Sequence, residues 1–421
     1  MFRLRSGRVR SGIAVAAFVL MVLGGGPATA TGGRGGHPRW TGTWASSPVR
    51  GTTTATCPGG DAGITDQTVR NIVYASVGGA SVRVRLTNAF GTAPLTVGAA
   101  SVAIADGDAT PVPGTVRALR FGGQPGITIP PGAEALSDPA SLRVRAGQTL
   151  AVSVYVPKLT GPATIHSLAV QDNFLSTTGD FTTSPDAAAY PTTITCWMFV
   201  DGVDVSASPL VTGSVVAFGD SITDGLRSTQ GANRRWPNVL ARRLFDRHGR
   251  TLSVVDQGIS GNRVLADGAG INAQARLDRD VLTQTDARVV IFLEGINDIG
   301  FADLGLGPPI SSADLIAGYR QIILRCHDAG LTIIGGTLLP FKGVPGYWNE
   351  TGERIREEVN HWIRTSGAFD AVVDFAAIMA DAADPQILNP AYDSGDHLHP
   401  NDAGYQAMAD AIDLRTLLRL A

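Results

Sequence analysis

Val215-Val216-Ala217-Phe218-Gly219-Asp220-Ser221-Ile222 is an apolar run that stops on a Gly-Asp-Ser turn. The β-branched and aromatic residues predict a buried strand, and the glycine predicts a sharp exit from it. A serine is thereby set at the carboxyl end of a strand. Far downstream the chain carries Asp396-His397-Leu398-His399-Pro400. Between the two lie Gly258-Ile259-Ser260-Gly261-Asn262 and Gly295-Ile296-Asn297-Asp298.

Working outward from that run, apolar stretches alternate with helical patterns. Leu252–Asp256, Arg288–Leu293, Leu331–Gly335 and Ala371–Asp374 read as strands. Arg235–His248 reads as a helix, with Pro237 tolerated in its first turn. A second helix runs from a Ser311 or Ser312 cap to Ala329 and ends at Gly330. Glu350–Thr365 and Asp402–Ile412 are also helical. Apolar strands separated by helices imply a parallel sheet covered on both faces. Ligands of such sheets bind beyond the carboxyl ends of the strands. Ser221, Gly261 and Asn297 follow the first three strands and fall there.

The preceding residues follow a different pattern. From about Trp40 to Ser206, Ala80–Leu86, Leu142–Arg145 and Thr149–Val156 alternate or run as short strands, punctuated by turns such as Ile129-Pro130-Pro131-Gly132. This predicts an antiparallel sandwich of the jelly-roll kind over residues 40–206. Val205–Pro209 reads as the junction, and the second domain spans 212–421.

The N-terminus carries Arg3, Arg5, Arg8 and Arg10, then the apolar stretch Ile13–Leu23, then Ala28-Thr29-Ala30. This predicts an export signal over residues 1–30. The apolar stretch is too short to span a bilayer comfortably, and no other segment is long and apolar enough to do so. The chain of 421 residues is 44% hydrophobic with a net charge of −3, so no basic field invites nucleic acid. Lys158 and Lys342 are the only lysines. Of the three cysteines, Cys57 and Cys196 flank the β-half and are expected to pair. Cys326 belongs to a helix and is expected to be buried and reduced.

An alcohol is a weak nucleophile at neutral pH and needs a base. His399 is the candidate base for Ser221. Asp396, three residues earlier, can hold the imidazole and stabilise its charged form. His397 is one residue off and should point elsewhere. The Ser221 N–H, the Gly261 N–H and the Asn297 side-chain amide are candidate donors to the oxyanion of a tetrahedral intermediate. Asp220 is expected to order the turn. Glu294 and Asp298 could support the site or merely satisfy strand ends. Trp236 could line a pocket or sit in the core. Tyr347 and Trp348 lie in a loop where substrate contact is possible but not required.

The four blocks around Ser221, Gly261, Asn297 and His399, in that order, resemble the GDSL, or SGNH, hydrolase superfamily. The match covers roughly Ser214 to the C-terminus, with Ile222 where the family name has leucine. The resemblance implies a flavodoxin-like three-layer α/β/α hydrolase fold with no cofactor and no metal. The arrangement also resembles the branch that joins such a hydrolase to an N-terminal β-domain, a branch associated with deacetylation of polysaccharides such as xylan.

The expected activity is that of a secreted serine esterase on short-chain acyl esters, including acetyl groups on a polysaccharide, acting through an acyl-enzyme. The alternatives are an acylhydrolase of lipid esters and a carbohydrate-binding protein with a degenerate hydrolase domain. A metal-dependent hydrolase using Asp393, Asp396, His397 and His399 is a further rival. The expected partner is the ester substrate alone: no nucleic acid, no membrane span after removal of the leader, and a monomeric chain. Every candidate catalytic group lies after residue 213, which leaves the β-half to bind substrate, shape the cleft or support the fold.

Overall fold

The computed structural model describes residues 39–247 and 249–421. The export signal expected over residues 1–30 lies outside the described residues, as does His248 at the expected end of one helix.

Five strands build the second half: Val211–Gly219, Thr251–Gly258, Ala287–Leu293, Thr332–Gly336 and Ala371–Val373. All their pairings are parallel, and numbered along the chain they lie in the order 2-1-3-4-5. That is the flavodoxin-like order, whose switch point falls between the first and third strands. Val215, Val216, Ala217 and Phe218 are fully buried, as a central strand covered on both faces requires. The flanking helices begin where their caps allow. Ser311 and Asp314 form a capping box at the start of Ser312–Asp328. Asn349 caps Glu350–Thr365, and Asn401 caps Asp402–Ala411. The helix expected from Arg235 runs Trp236–Phe245, with Pro237 in its first turn. Trp236 is wholly buried and packs on Phe375, so it belongs to the core and lines no pocket for substrate.

Among the described residues, the first half holds two larger antiparallel sheets around a shared core, together with a three-stranded sheet that includes Thr164–His166 and a two-stranded sheet. Trp40–Ala45, Val200–Ala207, Gly79–Thr87 and Glu134–Leu136 form one sheet. Thr192–Ile194, Asn173–Thr178, Gln67–Tyr74, Thr149–Val156, Ala99–Ile104 and Arg117–Ala118 form the other. Alternate residues such as Val82, Val84 and Leu86 meet Val69, Val73, Val152 and Val154 between them. Leu142–Arg145 is not a strand. Val144 makes an isolated bridge to Gly79, and nearby Ala140 makes one to Val82. Leu142 and Val144 are still buried, so the alternation reported burial without a continuous ladder. Cys57 and Cys196 are joined, and Cys326 is free and buried. Burial pushes the Cys326 thiol up to about 12.

Each half has its own hydrophobic core, but the halves interlock. Ala45 packs into the hydrolase core, while Val211 and Ile259 pack into the β core. Gly42 N–H donates to Thr285 O at 3.1 Å, and Val254 N–H donates to Ser76 Oγ at 3.2 Å. Strand Trp40–Ala45 thus lies along Thr251–Gly258, the strand that leads to Gly261.

Candidate active site

Strand Val211–Gly219 ends in a four-residue helix, Ser221–Asp224, whose first residue is the serine. Asp220 caps it: its Oδ1 accepts the Ile222 N–H at 3.0 Å. Burial pushes the Asp220 carboxyl up to about 7, against the pull of that N–H and of His399 and Arg276. The turn is close-packed from below. A Cβ on Gly258 would lie 2.3 Å from Asp224 N, so only glycine lets the second strand pass under the helix.

The residues expected to form a triad are brought together. Ser221 Oγ is 2.8 Å from His399 Nε2, and His399 Nδ1 is 2.9 Å from Asp396 Oδ2. Asp396 Oδ1 accepts the N–H groups of His399 at 2.8 Å and Leu398 at 3.1 Å. Burial works to raise the Asp396 pKa. The His399 ring and these two N–H groups outweigh it and hold the carboxyl well below the usual carboxylate range. Arg227, which the sequence did not single out, also reaches Asp396 Oδ2 at 3.0 Å from the surface. His397 points elsewhere, as expected. Its Nδ1 meets Asp393 Oδ2 at 2.7 Å, and half of its side chain is exposed. Asp393 and Asp396 therefore serve two different histidines. Among the described residues no group of three or more His, Cys, Asp or Glu is arranged to hold a metal ion.

The three candidate oxyanion donors follow the first three strands at one end of the sheet. The N–H groups of Ser221 and Gly261 donate to no group among the described residues. Gly261 has φ of +78°, a left-handed conformation that favours glycine. Asn297 lies in the first turn of Ile296–Asp303. Its Oδ1 accepts the Tyr347 hydroxyl at 2.7 Å, and its Nδ2 donates to Asn262 O at 2.9 Å. These contacts fix the orientation of the amide and leave one N–H for another acceptor. Tyr347 is buried and serves this amide; its place in a Gly/Pro-rich loop gave no sign of that.

Asp298 and Glu294 both support the site from behind. Asp298 accepts the N–H groups of Val264 at 2.8 Å and Leu265 at 2.9 Å, which fastens the segment after Gly261. Burial pushes Asp298 up to about 6 and Glu294 up to about 8. Glu294 faces Arg276 at 3.3 Å. Arg276 is wholly buried and also donates to Gly219 O and Asn262 Oδ1, each at 2.8 Å. The β-half enters here too. Ser47 Oγ accepts from Arg276 at 2.9 Å, and His166 Nε2 lies 3.0 Å from Asp224 Oδ1. Neither residue is marked by any motif.

Part of the chain is similar to known proteins. Residues 217–407 match the GDSL-like lipase/acylhydrolase family. No curated protein matches the chain. Among solved structures, a carbohydrate acetylesterase from Sinorhizobium meliloti is 17% identical. The match covers 49% of this chain and 99% of that one, with a TM-score of 0.39. A variant of an acetyl xylan esterase from Geobacillus stearothermophilus is 22% identical over 50% of this chain and 96% of its own, with a TM-score of 0.38. An aryl esterase from M. smegmatis is 18% identical over 49% and 98%, with a TM-score of 0.39. The matched segment carries all four blocks: residues 217–407 are a domain of the GDSL-like lipase/acylhydrolase family, a carboxylic ester hydrolase.

Proposed function

We propose that this chain is an exported serine esterase that works through an acyl-enzyme. One observation carries the reading: the unbroken line from Asp396 Oδ2 to His399 to Ser221 Oγ, with contacts of 2.9 and 2.8 Å. Asp396 holds Nδ1–H, which turns the free lone pair of Nε2 towards the serine. As Ser221 Oγ attacks the ester carbonyl carbon, Nε2 takes its proton. The carbonyl oxygen becomes an oxyanion facing the Ser221 and Gly261 N–H groups and the remaining N–H of Asn297. His399 then gives its proton to the leaving alcohol, and the acyl group stays on Ser221. Water enters, loses a proton to His399 and adds to the acyl carbon; the bond to Ser221 Oγ then breaks, His399 returns the proton to that oxygen, and the acid leaves. This intact line does not fit a degenerate hydrolase domain.

The substrate class that fits best is a short-chain acyl ester, with acetyl groups on a polysaccharide the leading case. An open groove runs between Arg50, Phe90 and Ser167 of the β-half and the segment Asp267–Ile271 of the hydrolase half. It adjoins the oxyanion loop, because Ala269 Cβ lies 3.0 Å from where a Cβ on Gly261 would stand. A chain of sugars could lie there with its acyl group at Ser221. Export accords with the Cys57–Cys196 bond, which belongs to an oxidising compartment.

The test is Ser221→Ala in the full chain, assayed on p-nitrophenyl acetate and acetylated xylan, with the serine of the native protein labelled by a phosphonate. Activity on both esters should disappear, and mass spectrometry should place the label on Ser221. Turnover near the native rate in the variant sinks the mechanism. Hydrolysis of long-chain lipid esters in preference to acetyl esters would favour the lipid reading. Export is checked by N-terminal sequencing of protein from the medium, which should begin at Thr31.

A further inference from the structure

Gly261 has no side chain with which to fix itself, so its neighbours must set where its N–H points. Each of them is anchored towards the β-half. The Ile259 side chain is buried in the β core. Ser260 gives both its N–H, at 3.0 Å, and its hydroxyl, at 2.7 Å, to one atom, Asp224 Oδ2. Asn262 Oδ1 accepts from Arg276 Nε, and Arg276 in turn donates to Ser47 Oγ. Asp224 itself is the last residue of the short helix that begins with Ser221.

Asp224 is a buried carboxylate, and such a group needs a compensating charge. Arg235 does not supply it there, since its Nε donates to the main-chain oxygen of Asp224. Among the described residues, His166 is the only cation in contact with the carboxylate. The ring has acceptors on both sides: Ser47 O lies 2.8 Å from Nδ1, while Asp224 Oδ1 at 3.0 Å and Leu168 O at 3.2 Å face Nε2. A carbonyl or an ionised carboxylate cannot donate, so with Asp224 ionised both nitrogens carry protons and the ring is an imidazolium. Burial alone would pull its pKa down. Asp224 and the Ser47 carbonyl outweigh that, and the net direction is up.

We propose that the β-half completes the oxyanion site: His166, through Asp224 and Ser260, sets the position of the Gly261 N–H and is a positioning residue for ester hydrolysis. The proposal rests on the reading of Ser221 as nucleophile. Without His166 the Asp224 carboxylate loses its cation and its fixed orientation. The two hydrogen bonds from Ser260 loosen with it, and Gly261 is no longer aimed. Only charge that develops in the transition state should feel the loss.

The test uses the full chain with p-nitrophenyl acetate as substrate and phenylboronic acid as a tetrahedral analogue. Active serines are counted with a phosphonate. In His166→Ala we expect kcat/KM to fall about 10–100-fold, in the range seen when a residue supporting a catalytic group is removed. KM should stay within about twofold, because ground-state binding does not use the oxyanion donors. The boronate Ki should rise by the same factor as kcat/KM falls, with the count of active serines unchanged. His166→Gln keeps an amide N–H near Nε2 and should recover part of the loss. A folded His166→Ala with native kcat/KM and native Ki overturns the proposal. So does a fall in active serines with Ki unchanged, which is the mark of a purely structural residue. If His166→Ala does not fold, Ser260→Ala removes one of the two hydrogen bonds at the other end of the same line, and a joint fall in kcat/KM and rise in Ki by a common factor is required. Turnover in Ser221→Ala would instead overturn the nucleophile assignment, whatever His166 does.

Discussion

At the mouth of the site, His399 gives Nδ1–H to Asp396 and turns Nε2 towards a serine hydroxyl. At the seam between the halves, His166 turns one nitrogen to a carbonyl and the other to a carboxylate and a carbonyl. Both are histidine–aspartate pairs at about 3 Å. A hydroxyl can give a proton or accept a bond, so the His399 ring can cycle between neutral and charged forms. Carbonyls and carboxylates only accept, so the His166 ring is fixed as a cation. The aspartate does not make a histidine a base; the group facing its second nitrogen does.

The sharpest way to break this contrast is to delete the histidines at the mouth. His399→Ala should cost about 10³–10⁶ in kcat, the scale for a member of a triad. His397→Ala should leave kcat within about threefold, because removing an exposed group costs little; among the described residues the His397 side chain bonds only Asp393, and it stands half exposed. Steady-state kinetics on p-nitrophenyl acetate decides. A more sensitive His397 would reverse the assignment of the base.

The oxyanion donors come next. Asn297→Ala should slow kcat by about 10²–10³ with KM little changed, since the donor meets charge that exists only in the transition state. A change confined to KM would reduce Asn297 to a binding group. Tyr347→Phe removes one hydrogen bond from the Asn297 amide and leaves its packing. The expected loss in kcat is about 2–10-fold, the worth of one neutral hydrogen bond. A native kcat would mean that the Asn262 contact alone holds the amide.

The hydrolase sheet was legible because each strand carries an apolar run that gives way to glycine or a polar residue, and the sequence reports that directly. The triad was legible because its members sit in short local patterns: Ser221 after a strand, Asp396 and His399 three residues apart. What sequence reading missed has a common cause. Ser47 and His166 come from the β-half and Arg276 from a separate segment of the hydrolase half, and each reaches the site through the fold alone; Tyr347 was named for substrate contact, but its bond to Asn297 was not foreseen. Ser47 is 229 residues from Arg276, and His166 is 58 from Asp224. His166 sits on Thr164–His166, a three-residue strand with no periodicity to read. The failure at Leu142–Arg145 is of another kind: alternation marks one buried face, and a bridged edge produces it as well as a strand does.

The smallest expected effect concerns stability and tests whether His166 is held as a cation. Its folded-state pKa is raised, chiefly by Asp224 against the cost of burial. A raised histidine contributes stability in full below its unfolded value, near 6.5, and loses that contribution as the pH climbs through the folded value. Thermal midpoints of the native protein and of His166→Gln should therefore differ most at about pH 5–6, and the gap should narrow as the solution becomes alkaline. Buried carboxyls also bend the curve. Asp220 and Asp256 are pushed up to about 7, and Glu294 to about 8, by burial. Each is protonated in the folded state below its raised value, so each lowers stability as pH rises from about 4 to that value. Asp220 and Glu294 do so alike in both proteins and cancel in the difference. Asp256 is also turned towards the His166 charge. Removing that charge makes Asp256 harder to ionise, so the variant penalty from Asp256 acts only above about pH 7 and opposes the narrowing there. The decisive interval is thus from about pH 6 to 7, below the ionisation of Asp256. A gap that stays constant or widens across that interval would show a neutral His166 and would dissolve the contrast between the two pairs.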